Sequence, residues 1–467
     1  MAEFLHKHVA PSGGDYTSLE SCMNANEQDL TGDGWFTVEI SGDWTGAPDT
    51  SACTIHNYTC PDADNNVRIS TVGDSRHNGI MPGNTGANAK AYLLNYNVDR
   101  EAAITISSNY IQITGICFKN SYNSFNNRGV VTLAGGTNFV FDTCIITATY
   151  SGEGSRGFYD ITAGDSYTFK NSIVYGFTYD VNSYGLQTNT GDNTALIYNN
   201  TFVGNNQSIG ASPNDARVIN NLFADCITSH IGIYYNETSA YIDYNWFDTA
   251  EVFNYGYGGS HNINTDTAGW DDVIFVDAAN KNFHLAASGG ADKGPWGNGI
   301  VLTGVTLDID GTSRGSVSDP CDIGADEYFA PTNFSRGDYA SLPTTAADLE
   351  NIYTAGEVTQ VATDDTNRVS QSAIVQYAIH QYKVNVGSNT SWSVKWNGQS
   401  SMAPSTKKVV LQIYDRDGAT WEDLDEENAA AANTDFDLTA TISADLDHYK
   451  DAGNIVCFRV YQQWSQP

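Results

Sequence analysis

Positive charge is scarce in this chain. Its 467 residues carry 22 Lys and Arg against 55 Asp and Glu, a formal net charge of −33. Phosphate backbones are gripped through basic patches, so this balance argues against nucleic acid as a partner and against anionic membrane surfaces. Long apolar runs are missing as well. No stretch approaches bilayer-spanning length, and the opening MAEFLHKHVAPSGG lacks the apolar core of a secretory leader. The expectation is a chain made in a host cytoplasm without a signal peptide and not inserted in a membrane. Cysteine is thin: Cys22, Cys53, Cys60, Cys117, Cys144, Cys226, Cys321 and Cys457 form no CxxC pair and no Cys/His cluster. That pattern predicts no zinc, no other metal and no cofactor, and thiols held as small buried apolar groups.

What stands in place of these features is repetition. The lines TISSNYIQITGICFKN, GGTNFVFDTCIITAT, AGDSYTFKNSIVYGF, GDNTALIYNNTFVGN, NDARVINNLFADC and ETSAYIDYNWFDT restate one theme between residues 104 and 250. Each passes from a polar turn into a short apolar strand, then a small or polar pivot, then a second apolar pair. The pivots align as Gly115, Thr143, Asn171, Asn200, Asn221 and Asn245, with separations of 28, 28, 29, 21 and 24 residues. Periods of that size mark solenoids. The richness in Ile, Val, Tyr, Phe, Thr and Asn excludes helical repeats and predicts a β-solenoid, each coil pairing with its neighbours. In this alignment Cys117 and Cys144 fall about one coil apart but one position out of step, so no disulfide is expected between them.

Strand–Asn–strand coils of irregular length resemble the right-handed parallel β-helix of pectin-lyase-like proteins. The segment LDIDGTSRGSVSDPCDIGADEY, Leu307 to Tyr328, is similar to the closing segment of many bacterial and phage β-helix repeat proteins. The resemblance implies an all-β fold and, among phage spike, fibre and surface proteins, a homotrimer. It leaves activity open, because one fold hosts many functions.

Taken in order, residues 1–30 read as a lead and a capping helix. Thr17 and Glu20 have capping-box spacing, and Tyr16, Leu19, Met23 and Leu30 recur on one face. Such a helix would cover the open apolar end of the solenoid. Residues 31–328 read as the β-helix, its first coils irregular up to about residue 100. Asp29, Thr31, Asp33 and Gly34 open like a calcium loop, but Ile40 stands where the bidentate Glu belongs, which predicts a plain turn. Ile111, Ile113, Phe139, Phe141, Phe202 and Phe223 are the expected inward stack. Asn171, Asn200, Asn221 and Asn245 are expected to serve architecture, bonding backbone inside the bends. Residues 329–333, FAPTN, read as a linker. From 334 to 467 longer alternating strands predict a β-sandwich, jelly-roll or immunoglobulin-like, with a hairpin at Asp417-Gly418. Val409, Leu411 and Ile413 share one face, as do Phe436, Leu438 and Ile442.

Chemistry is harder to find. Hydrolases of the resembled family carry NTD, a paired Asp, GHG and RIK on successive coils. Here Asn264-Thr265-Asp266 is followed within a few residues by Asp271-Asp272, and no GHG or RIK comes after. The lyase motifs vWiDH and RxPxxR are absent too. Two carboxyls flanking a glycosidic bond would still serve hydrolysis. Glu153 and Asp160, in the excursion SGEGSRGFYD with Arg156 between them, and Asp180 one coil on, are the candidate catalytic residues. Tyr175, Tyr179, Tyr184, Tyr235, Tyr255 and Tyr257, near strand ends, are the candidate glycan- or partner-binding residues, since Tyr offers a flat apolar face with a polar rim. The leading functional expectation is a phage virion protein, structural and adhesive, contacting a host-surface glycan or neighbouring virion proteins. A tailspike polysaccharide depolymerase and a secreted bacterial adhesin are the alternatives.

Overall fold

Parallel strands cannot be joined by a tight hairpin, so each short apolar segment must find its partner a full coil away. The computed structural model shows that arrangement. It describes residues 3–83, 89–122, 128–149, 152–162, 165–188, 194–211, 216–233, 241–248, 259–265, 274–286, 294–314, 321–328, 334–361, 368–373, 376–386, 391–450 and 455–462. The chain divides into two compact units, Met1–Tyr328 and Phe329–Pro467.

The first unit is a parallel β-helix with three faces. The first face stacks nine strands, from Glu3–Val9 to Tyr241–Asp243; the second stacks eight, from Leu93–Tyr96 to Ile263–Asn264; the third stacks seven, from Cys53–Ile55 to Ser229–Ile233. Most strands of the first face alternate between core and surface, as in Trp35–Ile40 and Ser166–Lys170. Like residues stack on like: Ile113 pairs with Phe141, Phe141 with Phe169 and Phe169 with Ile197. The six expected inward residues are each no more than 1% exposed. Phe202, Phe223 and Phe247 stack face to face at 5.3 and 5.1 Å along the rod.

The turn between the first and second faces explains the pivots. One residue per coil takes a left-handed conformation there: Gly115, Thr143, Asn171, Asn199, Asn220 and Tyr244, with φ between 50° and 77°. The sequence alignment therefore slips by one at Asn200, Asn221 and Asn245. These three occupy the following position, fully buried, and form a ladder. Asn200 donates its backbone N–H and its Nδ2 to Oδ1 of Asn221, at 3.0 and 2.9 Å. Asn221 makes the same pair of bonds to Asn245, and Asn245 to Asn262. Each Nδ2 also donates to a first-face carbonyl, of Phe169, Ile197 or Val218, at 2.8–2.9 Å. Below them Ser172 accepts from Cys144 N–H at 3.0 Å and donates its own N–H to Asn200. All eight cysteines carry free thiols. Cys144 faces the interior, and Cys117, paired in register with Ile145, lies in the separate cluster on the outer side of the second face.

The helix is shorter than the sequence suggests, Leu19–Ala25, and its cap is Ser18, whose hydroxyl accepts from Ser21 N–H at 3.2 Å; Thr17 and Glu20 form no box. Leu19, Cys22 and Met23 enter the core of the rod. Buried Asp49 fixes the helix start by accepting from Leu19 N–H at 2.8 Å and Tyr92 OH at 2.9 Å. The rod begins before the helix, since Glu3–Val9 already pairs with Trp35–Ile40. Asp29 accepts from Thr31 N–H at 2.9 Å, the plain turn expected there.

Second-face strands are buried on both sides, Ile145–Ala148 throughout its length. Their outer cover is the tail. Cys117, Ile145, Ile173, Leu222 and Trp246 pack against Phe275, Phe283, Leu285, Ile309 and Ile323 in one cluster separate from the interior. The tail returns along the coils: Asn220 donates to Ile300 O at 2.7 Å, Lys170 to Gly304 O at 2.6 Å, and Arg76 to Ile309 O at 3.4 Å. Its polar motif is spent on itself. Arg314 donates to the carbonyls of Gly324 and Ala325 at 2.8 and 2.7 Å, to Glu327 at 3.2 Å and to Asn171 at 3.1 Å. Asp322 accepts from the N–H groups of Gly297 and Tyr328, and Asp308 from those of Thr312 and Glu327. His284 meets Asp310 at 3.1 Å.

The second unit is antiparallel. A six-stranded sheet runs in the order Asn351–Ile352, Phe334–Tyr339, Tyr377–Asn385, Ile455–Gln462, Val409–Asp415, Thr420–Glu427, and Trp392–Gly398 pairs with Phe436–Ile442 in a second sheet. The two enclose common cores, as in a β-sandwich: Trp392 and Ile442 meet Ile413, Val456 and Phe458, while Phe436 and Leu438 meet Val409, Leu411 and Val460. Asp415 closes the expected hairpin by accepting from the N–H groups of Asp417 and Gly418.

Removing a rung should be costly. Asn221→Ala leaves the Asn200 N–H and the Ile197 carbonyl buried without partners, at about 1–3 kcal/mol each. Equilibrium unfolding should therefore show a loss of several kcal/mol, while the exposed Asn182→Ala stays near zero. The tail should respond to pH. Burial alone would depress His284, but the Asp310 hydrogen bond and the charges of Asp326, Asp310 and Asp308 carry it up to about 9. The neighbouring His77 is held down to about 4 by burial and then Arg76, and so stays neutral. With an unfolded value of about 6.5, the His284 contribution is complete below that pH and is lost as pH rises towards 9. Burial and then Asp310 push Asp308 up to about 6, which acts in the same direction at lower pH. The melting temperature should fall between pH 6.5 and 9, and less so in His284→Gln; a rise would contradict this account.

Candidate functional site

Of the carboxylates singled out on the rod, Asp180 meets the turn that holds Glu153, whereas Asp160 lies at the far end of the strand that follows. Glu153 is exposed in the turn before strand Arg156–Asp160, and Asp160 ends that strand. Five extended residues place its two ends on the order of 13 Å apart, beyond the 5–10 Å that flanks a glycosidic bond. Asp160 is fully buried, stacked in register on Leu133, and accepts from Thr162 N–H at 3.2 Å. Its carboxyl neighbour is Asp165, which burial pushes above the usual carboxylate range. Asp180 is taken up by its own turn, accepting from Gly154 N–H, Asn182 N–H and the Ser183 hydroxyl at 3.2, 3.1 and 2.8 Å. Arg156 lies over the Tyr159 ring at 4.4 Å and bonds Gln187.

The tyrosines separate in the same way. Tyr179 is 64% exposed. Tyr175 is half-buried against Phe283 at 5.2 Å, and burial pushes its hydroxyl up to about 12. Tyr184 is buried, its ring lying against Gly210, where a Cβ would meet it at 2.5 Å. Tyr235, Tyr255 and Tyr257 lie outside the described residues, as do Asp266, Asp271 and Asp272. Thr265 is buried and bonds the carbonyls of Phe247 and Asp248 at 3.2 and 2.8 Å.

A cleft of about 880 Å³ opens instead in the second unit, between strand Trp392–Gly398 and the six-stranded sheet. Period-two alternation builds it. His380 and Tyr382 project from one strand, and Trp392, Val394 and Trp396 from the strand facing it. The aromatic groups are linked. Trp396 Nε1–H donates to Tyr382 OH at 3.0 Å, Tyr353 OH bonds His380 Nδ1, and His380 and Tyr382 stack at 6.5 Å with 10° between planes. Burial, then the charge of Arg336, holds His380 down to about 4, so its ring is neutral. Burial raises Tyr382 to about 12. Trp392 is more than nine-tenths buried, and its indole N–H has no acceptor among the described residues. Ser370, Gln371, Asn397 and Gln399 add hydroxyls and amides to the lining. Arg368 and Lys395 line it too, paired with Asp435 and Asp437. Flat apolar faces beside polar donors and acceptors suit a polyhydroxylated ring.

The sequence marks these segments only as strands of the sandwich. The signal that would have found the cleft is same-face aromatic residues on two strands, Tyr382 two positions after His380 and Trp396 four positions after Trp392.

No family model matches the chain, and no curated protein matches it. Among solved structures it is similar to the enzymatically active domain of tailspike protein 4 of bacteriophage CBA120, at 11% identity and a TM-score of 0.18. The match covers 94% of this chain, which spans 63% of that one. A likeness that low assigns neither ligand nor reaction.

Amide substitution on the rod should separate position from chemistry. Glu153→Gln should leave the melting temperature unchanged, whereas Asp160→Ala, which strips the part-buried Thr162 N–H of its acceptor, should cost about 1 kcal/mol in a denaturant titration.

Proposed function

We propose that this is an adhesion protein of a virion surface whose second unit holds a host-surface glycan in the cleft of Tyr353, His380, Tyr382 and Trp396. The observation that carries the reading is the cleft itself: hydrogen-bonded aromatic rings in an open cavity lined by hydroxyls, amides and the ion-paired Arg368 and Lys395. A well-packed sandwich core has no such opening, since protein interiors fill to crystal-like density. The virion setting rests on the resemblance of Leu307 to Tyr328 to the closing segments of phage β-helix proteins, and homotrimeric assembly on the same resemblance. The depolymerase alternative loses support with the separation of Glu153 from Asp160, and the bacterial adhesin shares the cleft but not the phage resemblance.

A glycan array probed with the whole protein, followed by calorimetry on its best ligand, tests this. Trp396→Ala should weaken binding at least about tenfold, the equivalent of ~1.4 kcal/mol. Because Trp396 also touches the core, Trp396→Phe serves as the milder variant, keeping the ring and losing the N–H. Binding should stay flat from pH 5 to 8, since His380 remains neutral throughout. Unchanged affinity in both variants, or no glycan retained by the wild type, would overturn the assignment. Sedimentation equilibrium measures the trimer.

A further inference from the structure

The first strand of the rod carries a cluster that none of the preceding chemistry uses. His6 and His8 sit two residues apart on Glu3–Val9, which places both side chains on the same outward side. Their rings stack at 4.7 Å with 17° between planes. Glu39, in register with His8 on the next strand, reaches both, with carboxylate oxygens 3.6 Å from His6 Nε2 and 3.4 Å from His8 Nδ1. One donor atom from each of the three lies within 4.8 Å of the others. A second observation is independent of this spacing. The other ring nitrogen of His6, Nδ1, lies 3.4 Å from Glu3 Oε1. A carboxylate behind a ligating histidine is the usual outer support of a metal site, because it fixes the N–H on the far nitrogen and turns the lone pair of the near one inward.

We propose that His6, His8 and Glu39 bind a divalent first-row cation of the Zn²⁺ class and thereby clip the first strand of the rod to the second. Two imidazoles and one carboxylate suit Zn²⁺, Co²⁺ or Ni²⁺ and suit Ca²⁺ or Mg²⁺ poorly, since those ions take oxygen donors. The side chains are 28–48% exposed, so an ion enters from solvent and water completes its coordination. Strand ends fray first, and a clip at Glu39 acts on Glu3–Val9, the edge strand of the first face among the described residues.

The test uses the full chain stripped with chelator. Titration with Zn²⁺ should show one site per chain and a raised melting temperature. Co²⁺ should give the visible absorption of a nitrogen- and oxygen-ligated ion, and Mg²⁺ should do neither. His8→Ala and Glu39→Gln should each weaken Zn²⁺ at least about tenfold, and Glu3→Gln should do so to a smaller extent. His284→Gln, far along the sequence in the tail cluster, should leave the affinity unchanged. Equal binding in His8→Ala, or loss confined to His284→Gln, would overturn the proposal. So would one ion per two or three chains with metal-dependent association, because the ion would then join subunits and not strands.

Discussion

A dry interior gives backbone groups at a bend nowhere to turn, and that constraint shapes the whole rod. Strands satisfy their own amides by pairing with the coil above and below, but the residue at each corner leaves the ladder. Buried polar groups without partners cost more than made bonds gain. The Asn side chain answers both demands at once. Its Oδ1 receives the N–H and the amide of the coil below, and its Nδ2 closes a first-face carbonyl. Asn200, Asn221, Asn245 and Asn262 repeat this solution, and Ser172 makes part of it one coil earlier. Positive φ at the residue just before completes the corner, which is why Gly and Asn recur there and why Thr143 and Tyr244 are exceptions held by their surroundings.

The second constraint is apolar. First-face strands alternate and meet water on one side, whereas second-face strands present apolar residues on both, so something must cover them. The tail does, and its Arg314, Asp308, Asp322 and Glu327 are consumed in holding its own irregular backbone. A motif rich in charge thus does structural work, with Asp310 and His284 forming its pH-sensitive edge.

Much of this was legible. The repeat period gave the solenoid, strict alternation identified Ile111, Ile113, Phe139 and Phe141 as interior, and the change of strand texture marked the antiparallel unit. The corner slipped by one residue because Asn-Asn pairs at 199–200 and 220–221 offer two equivalent alignments, and only φ and the register tell them apart. The pairs Ile145-Ile146 and Leu222-Phe223 already announced two buried sides, yet nothing local says that residues more than 100 positions away supply the cover. Sequence proximity misleads in a related way: Glu153 and Asp160 are near in sequence, but an extended strand lies between them, while Asp180, a coil later, meets the Glu153 turn. The aromatic cleft escaped because period-two aromatics read equally well as core, and whether two facing strands close or stand apart is a property of the second sheet.

The return path of the tail also orders events on the ribosome. Each coil of the rod pairs with the one made just before it, so stacking can proceed as the chain emerges. The outer stripe of Cys117, Ile145, Ile173, Leu222 and Trp246 has no such local partner. It stays bare until residues near 275–325 are synthesised and run back over coils completed long before, as far as Arg76, 233 positions upstream of Ile309. During translation the nascent rod is therefore a finished scaffold with one sticky side, and any chain that stops short of the tail keeps that side for good.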